Sequence, residues 1–369
     1  MNQALEWTHF PASALAEQAE LSAAWTRLNA SRLNLPFLDA DVVNLALRCF
    51  GQGRERLLVA RRSGDPVAML VLAPVGFGRW NSFQPSQLPL GSWVAQPGLD
   101  VAQLCRQLTR GPLGPCLTVG LTQVDPLMAP RGSGLADCTW DDYIATAWLD
   151  VKGSFDDYWA QRGKNLRQNL RKQRNRLATD GIATQMQVSE TPADVRAAVQ
   201  RYAQLESAGW KARGNTAIGA DNVQGRFYSE LFEVAAARGE ARVFEYRFGE
   251  TTVASNLALL RGGVLVVLKT TYDEAQPKHL SPASLLREEE LQRFFAGEEV
   301  RRIEYYGKVM EWHTKLTEQS RVLYHLSAYR FAWLRDLALR RRPPAAPVAD
   351  TPGSTGSADA RQQLVAQDP

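Results

Sequence analysis

The chain has 369 residues, long enough for two domains with a core each. With 45% hydrophobic and 22% charged residues it has the balance of a folded globular protein, which excludes a fibrous or largely disordered chain. A formal net charge of only +4 excludes a generally polybasic nucleic-acid coat, so any anion-binding role must come from local charge.

The opening "MNQALEWTHFPASALAEQAE" has no basic stretch followed by an apolar core, so no signal peptide is expected. The longest apolar runs, such as "VAMLVLAPV" from Val67, are strand-sized and far short of the ~20 residues that span a bilayer. Cys49, Cys105, Cys116 and Cys138 form no C-x-x-C pair and no metal-ligand spacing with histidine, so reduced thiols, no metal and a cytoplasmic location are expected, with a position at a membrane surface left open. From Arg56, "RLLVARRSGDPVAMLVLAPV" reads as two strands about a tight turn at Gly64. A helix in "LDVAQLCRQLTRG", an apolar strand in "PCLTVGLTQV" and a strand in "YIATAWLDV" follow, the last ending near Asp150.

Residues 162–177, "RGKNLRQNLRKQRNRL", carry seven basic side chains and no acidic one. At 100° per residue Leu166, Leu170 and Leu177 share one stripe, and Lys164, Arg167, Arg171 and Arg174 form a second. The segment predicts an amphipathic helix docked by its leucines with a positive face outward, either a solvated face or a seat for an anion.

A helix is expected from about Ala193 to Ala208, then a second hairpin, "RVFEYRFGETTVASNLALL", turning at Gly249. "GGVLVVLKTTY" is apolar on both faces, as a central strand is. In "KHLSPASLL" Ser281 suits an N-cap and Pro282 the first helical position, and the strand "VRRIEYYG" comes after that helix. From Pro343 the chain is rich in Pro, Ala, Gly and Ser, and residues 343–369 are expected to be a disordered tail. The two hairpins echo each other and each is followed by a helix and a strand. A duplicated α/β unit is therefore expected, with halves at 1–150 and 151–335.

Several stretches together resemble the CelD type of GNAT-superfamily acyltransferase. They are the basic helix "SFDDYWAQRGKNLRQNLRKQRNRLATDG", the element "ESAGWKARGNTAI", and the run "GETTVASNLALLRGGVLVVLKTTYDEAQPKHLSPASLL". "NLPFLDADVVNLALRCFG" and "SGDPVAMLVLAPV" are similar to that family's first half, so the resemblance covers roughly residues 25–335. It implies an α+β fold of two tandem GNAT-like domains with mixed central sheets flanked by helices, as in FemAB-type transferases. The first would be degenerate and the second catalytic. It further implies acyl transfer from acyl-CoA, with a small-molecule or glycan acceptor and partners in polysaccharide synthesis. The family's Tyr-Lys after the last Gly-Asp is replaced here by Trp312-His313 in "YYGKVMEWHTKLTE", and the Gly-rich phosphate loop of simple GNAT enzymes is missing.

Acyl transfer needs a phosphate cradle, a base and charge stabilisation. For the donor, Ser281, Ala283 and Ser284 at a helix start are expected, with Lys269, Arg167 and Arg171 supplying charge. Trp210, Lys211, Arg213, Tyr272 and Lys308 are expected at the acceptor. Glu304 and His313 are the candidate bases and Tyr306 the candidate acid, all in one cleft where the strands ending at Tyr272 and Gly307 terminate. Two other readings stay open: a FemAB-like transferase using aminoacyl-tRNA, and a non-catalytic scaffold of a polysaccharide synthase system.

Overall fold

A computed structural model describes residues 5–132, 135–208 and 222–341. The first half contains β1 (Glu6–Pro11), α1 (Ala14–Glu17), α2 (Ala19–Ala30), α3 (Ala40–Phe50), β2 (Arg56–Arg62), β3 (Asp65–Gly76), β4 (Arg79–Ser82), β5 (Trp93–Ala95), α4 (Val101–Arg110), β6 (Thr118–Val124) and β7 (Cys138–Asp150). Then come α5 (Phe155–Ala160), α6 (Lys164–Thr179), β8 (Thr184–Ser189), α7 (Pro192–Ala208), α8 (Val223–Ala237), β9 (Ala241–Phe248), β10 (Thr251–Arg261), β11 (Val264–Tyr272), α9 (Pro282–Ala296), β12 (Arg302–Glu304), α10 (Glu311–Thr314), β13 (Ser320–Tyr329) and α11 (Ala332–Arg340). The tail expected at 343–369 lies outside the described residues.

Both expected hairpins are present. Arg62 pairs with Asp65 across Ser63-Gly64, at φ 52° and 87°, and Phe248 pairs with Thr251 across Gly249, at φ 56°. Left-handed turn residues match the right-handed twist of the strands they join, which is why glycine recurs there.

The strands form one sheet in the order β1-β2-β3-β4-β6-β13-β7-β12-β11-β10-β9-β8, with β5 on β3. Counted inward from its two edges, the sheet repeats itself: the hairpin β2-β3 holds the places that β9-β10 holds at the other edge. Next inward, β4 runs parallel to β6 as β11 runs parallel to β12. At the centre the last strand of each half is exchanged. β13 pairs with β6, and β7 pairs with β12 through Trp148–Asp150. Two GNAT-like units in tandem thus share one α+β sheet, and each is completed by a strand from the other.

One apolar core spans both halves, and on one face of the sheet it joins Trp25 and Val43 to Phe227, Phe232, Leu257 and Val266. Asp39 ties that face across the halves, accepting from Arg238 and from both ends of the Arg261 guanidinium. On the other face a second core holds Leu170 and Leu177 of α6 with Leu285, Leu286 and Phe294 of α9. These are two of the three leucines expected to dock α6; the third, Leu166, lies half-buried at the edge of that core.

Candidate active site

β11 and β12 pair over only three residues each, Val264–Val266 with Arg302–Glu304, and then part. β11 continues to Tyr272, whereas β12 stops because Tyr306 takes a left-handed φ of 46° and turns the chain toward α10. A cleft of about 420 Å³ lies beside this opening, between α6, α9 and α10. Asn165, Asn169 and Gln173 form one wall, Ser281, Ser284 and Arg287 a second, and Trp312 and Lys315 a third. Arg287, Trp312 and Leu316 separate the cleft from an inner cavity of about 10 Å³ lined by Asn256, Thr270, Glu290 and Tyr305. That volume is room for one water molecule.

The charges of the site follow from its depth. The Arg287 guanidinium lies 3.7 Å from the centroid of the Trp312 ring, and burial lowers its pKa. Burial pushes the Glu290 carboxyl up to about 7, against the Nδ2 donation of Asn256 at 2.8 Å and the nearby Arg287 charge. Deeper still, His313 stacks under Trp312 at 3.5 Å and accepts from the Met310 N–H at Nδ1. Burial, then Arg287, pushes His313 down to about 4, so it is neutral at pH 7.

A basic groove of about 430 Å³ continues outward from the cleft, sharing Asn169, Gln173 and Ser281 with it. Lys172, Arg176, Lys278 and His279 line it. Here the N-terminus of α9 carries no side-chain cap; the Ser281 N–H instead donates to Gln173 Oε1 at 2.7 Å. The helix in the equivalent place of the first half, α4, is closed differently. The Asp100 carboxylate accepts from the N–H groups of Ala102 and Gln103, which puts a negative charge where an anion would sit.

The structure does not bring all the expected site residues together. Ser281 and Ser284 line the cleft, and Ala283 packs on the core behind them. Lys269 points through the opposite face of the sheet, 3.7 Å from Glu206 and over the Tyr228 ring, because neighbouring strand residues alternate in direction. Tyr272 and Lys308 are exposed and line neither cavity. Arg167 and Arg171 also lie off the cleft; Arg167 Nε donates to the Arg162 carbonyl. Arg174, expected on the outward face, is docked instead on Glu288, Glu289 and the Tyr246 hydroxyl of the elements that α6 covers. Trp210, Lys211 and Arg213 lie outside the described residues.

Glu304 and Tyr306 do meet, but at the junction of the halves and away from the cleft. Arg321 of β13 binds Asp125 with two bonds, at 2.9 and 2.6 Å. The Glu304 carboxylate lies 2.9 Å from the same guanidinium without hydrogen-bond alignment. Burial pushes Glu304 up to about 7 despite Arg321, and pushes the Tyr306 phenol well above its ordinary value. This cluster belongs to the exchanged strands. His313 likewise lines neither cavity and supports Trp312 from below. The residues missed by the sequence reading are Gln173, Arg287, Glu290 and Trp312. A signal exists for two of them, Arg287 and Glu290: with Ser284 they recur at three-residue spacing, placing polar groups on a stripe of α9 beside its leucines.

The cleft is framed by α6 at one end of a continuous stretch and α10 at the other. Residues 164–314 match the family model described as an acetyltransferase (GNAT) domain. That match lies within the second half, beginning with the first residue of α6 and ending with the last of α10. The C-terminal DUF2156 domain of a putative lysylphosphatidylglycerol synthetase from Agrobacterium fabrum has a similar fold. It aligns with a TM-score of 0.54 and 15% identity over 86% of this chain and 94% of that one. A conserved protein of unknown function from Bacteroides thetaiotaomicron aligns at 0.51 and 12% identity, over 88% and 99%. None of the curated proteins matches this chain. Among the described residues of the GNAT-type fold no helix is long and apolar enough to cross a membrane, and no group of three or more His, Cys, Asp or Glu is placed to hold a metal ion.

Proposed function

We propose that the protein is an acyltransferase that takes its acyl group from a thioester of the acyl-CoA type and passes it to an amine or hydroxyl of an envelope-glycan or exopolysaccharide acceptor. The observation that carries this reading is the α9 N-terminus without a side-chain cap, at the mouth of the β11–β12 opening, set in a groove with Lys172, Arg176 and Lys278. A helix N-terminus carries partial positive charge and favours phosphate, and flanking cations add charge-assisted bonds. The loop before α9, residues 273–281, contains no glycine, so these side chains stand in for a backbone cradle. The glycan acceptor rests on the sequence resemblance, and the GNAT-domain match supports the transfer itself.

Glu290, half ionised near neutral pH, takes the acceptor's proton through the water-sized inner cavity. The freed nucleophile bonds to the thioester carbonyl carbon while Arg287 holds the charge that grows on its oxygen. The carbon–sulfur bond then breaks, and the proton passes from Glu290 to the departing sulfur.

Ser281→Asp places at α9 the carboxylate that Asp100 places at α4. Its affinity for coenzyme A by calorimetry should fall at least about tenfold, ~1.4 kcal/mol. Stability should hold or rise, because aspartate caps a helix as well as serine. Unchanged affinity removes the donor from this groove.

A paired comparison locates the donor's charge. Lys172→Gln with Arg176→Gln should weaken coenzyme A binding by about tenfold. Arg167→Gln with Arg171→Gln should leave it within about twofold, since neither residue lines the groove. The reverse ranking would move the donor to the outer face of α6. Steep salt dependence of tRNA binding by the same groove would instead favour the aminoacyl-tRNA reading.

A further inference from the structure

We propose that the surface formed by α11 and the β3–β4 turn docks the protein on an anionic lipid surface, a role independent of the acyl-transfer reading. Gly76 pairs with Arg79, so Phe77-Gly78 is a two-residue turn, a position where small or polar residues are usual. Phe77 is nonetheless 84% exposed there. The turn cannot drift, because Gly78 accepts from the N–H groups of Leu117 and Thr118 and a Cβ on Gly78 would lie 2.7 Å from the Pro115 carbonyl.

The same strand end carries α11. The Arg330 N–H donates to the Leu117 carbonyl, which links the start of α11 to the Phe77 turn through one residue. Phe331 and Trp333 then stack on each other, 6.2 Å apart at 10°, and Trp333 is 60% exposed. α11 buries none of its residues fully. Its less exposed side carries Leu334, Arg335, Ala338 and Leu339, and its open side carries Trp333 and Leu337 beside Arg340 and Arg341. A helix stabilised by packing alone would turn these apolar groups the other way.

The charge around the aromatics selects the occupant. Arg79, Arg340 and Arg341 are exposed around the patch, Arg330 lies 5.7 Å from the Phe331 ring, and Asp336 is the one acidic residue of α11. A second copy would bring like charges together, whereas an anionic lipid headgroup layer meets both features. Arginines are drawn to its surface potential, and tryptophan and phenylalanine rings settle at the headgroup boundary.

Co-sedimentation of the full chain with vesicles tests this. Vesicles of phosphatidylcholine with about one quarter phosphatidylglycerol should capture the protein at least about tenfold better than phosphatidylcholine alone, and high salt should abolish the preference. Phe77→Ser and Trp333→Ser, both at exposed positions, should each weaken capture severalfold with no change in Tm. Equal capture by both vesicles, or capture unaffected by the two variants, overturns the proposal. So does light scattering that shows a dimer dissolved by Trp333→Ser, because the patch would then belong to a contact between copies.

Discussion

Replacing Asp125 with alanine should lower stability by about 3–5 kcal/mol, read as a fall in the urea midpoint. Asp125 is fully buried and takes both aligned bonds from Arg321, itself only 8% exposed, so the variant strands a guanidinium in the interior. Glu304 cannot replace it, because its contact with Arg321 lacks hydrogen-bond alignment and its own charge is disfavoured by burial. Adding Arg321→Met to Asp125→Ala should recover much of the loss, since two apolar groups leave no orphaned charge. Arg321 sits on β13 and Asp125 just past β6, strands from different halves, so both halves should unfold in one transition. A loss under about 1 kcal/mol, or two separate transitions, would show that the exchanged strands do not hold the halves together.

Glu290→Gln should move activity and stability in opposite directions. As the base, Glu290 is worth ~10²–10⁴ in rate, and its glutamine variant should lose that much turnover while still binding coenzyme A. The stability sign follows from linkage. The folded carboxyl titrates at about 7 against an ordinary 4.5, so between those values the folded state holds a proton that the unfolded state releases. Stability therefore falls as pH rises from 4.5 to 7, and Glu304 adds a change of the same sign. Wild-type Tm should be higher near pH 5 than near pH 8. Glutamine keeps the Asn256 bond without the charge, so Glu290→Gln should gain up to roughly 3 kcal/mol at pH 8 and flatten the pH profile. Full turnover in the variant would remove Glu290 as the base, and an unchanged pH profile would show that the buried carboxyl titrates normally.

Stretches whose meaning is local were legible in the amino-acid order. The hairpins at Gly64 and Gly249 follow from turn chemistry between apolar alternations, and Leu170 and Leu177 dock α6 because their spacing is helical. Ser281 and Pro282 mark the start of α9 for the same kind of reason, and Ser281 lines the cleft. The echo of the hairpins also reached the fold, since a repeated pattern folds to a repeated unit.

What stayed hidden depends on which distant segments meet. Glu304 ends β12 and Tyr306 lies past it at a left-handed φ, and only the exchange of β7 and β13 puts Asp125 and Arg321 beside them and makes the group a junction. Helical periodicity grouped Arg174 with Arg167 and Arg171, while the packing of α9 against α6 draws Arg174 inward to Glu288 and Glu289. His313 is a titratable group near neutrality by residue type, and burial under Trp312 beside Arg287 is what takes its charge away. Glu290 is the reverse case, an ordinary helix glutamate in the sequence that desolvation raises to about 7. Periodicity and turn propensity are properties of neighbours along the chain, so the sequence alone determined the elements and their buried faces. Cleft walls, pKa values and the closure of the sheet arise where separate elements pack against one another, and the tertiary structure decided those.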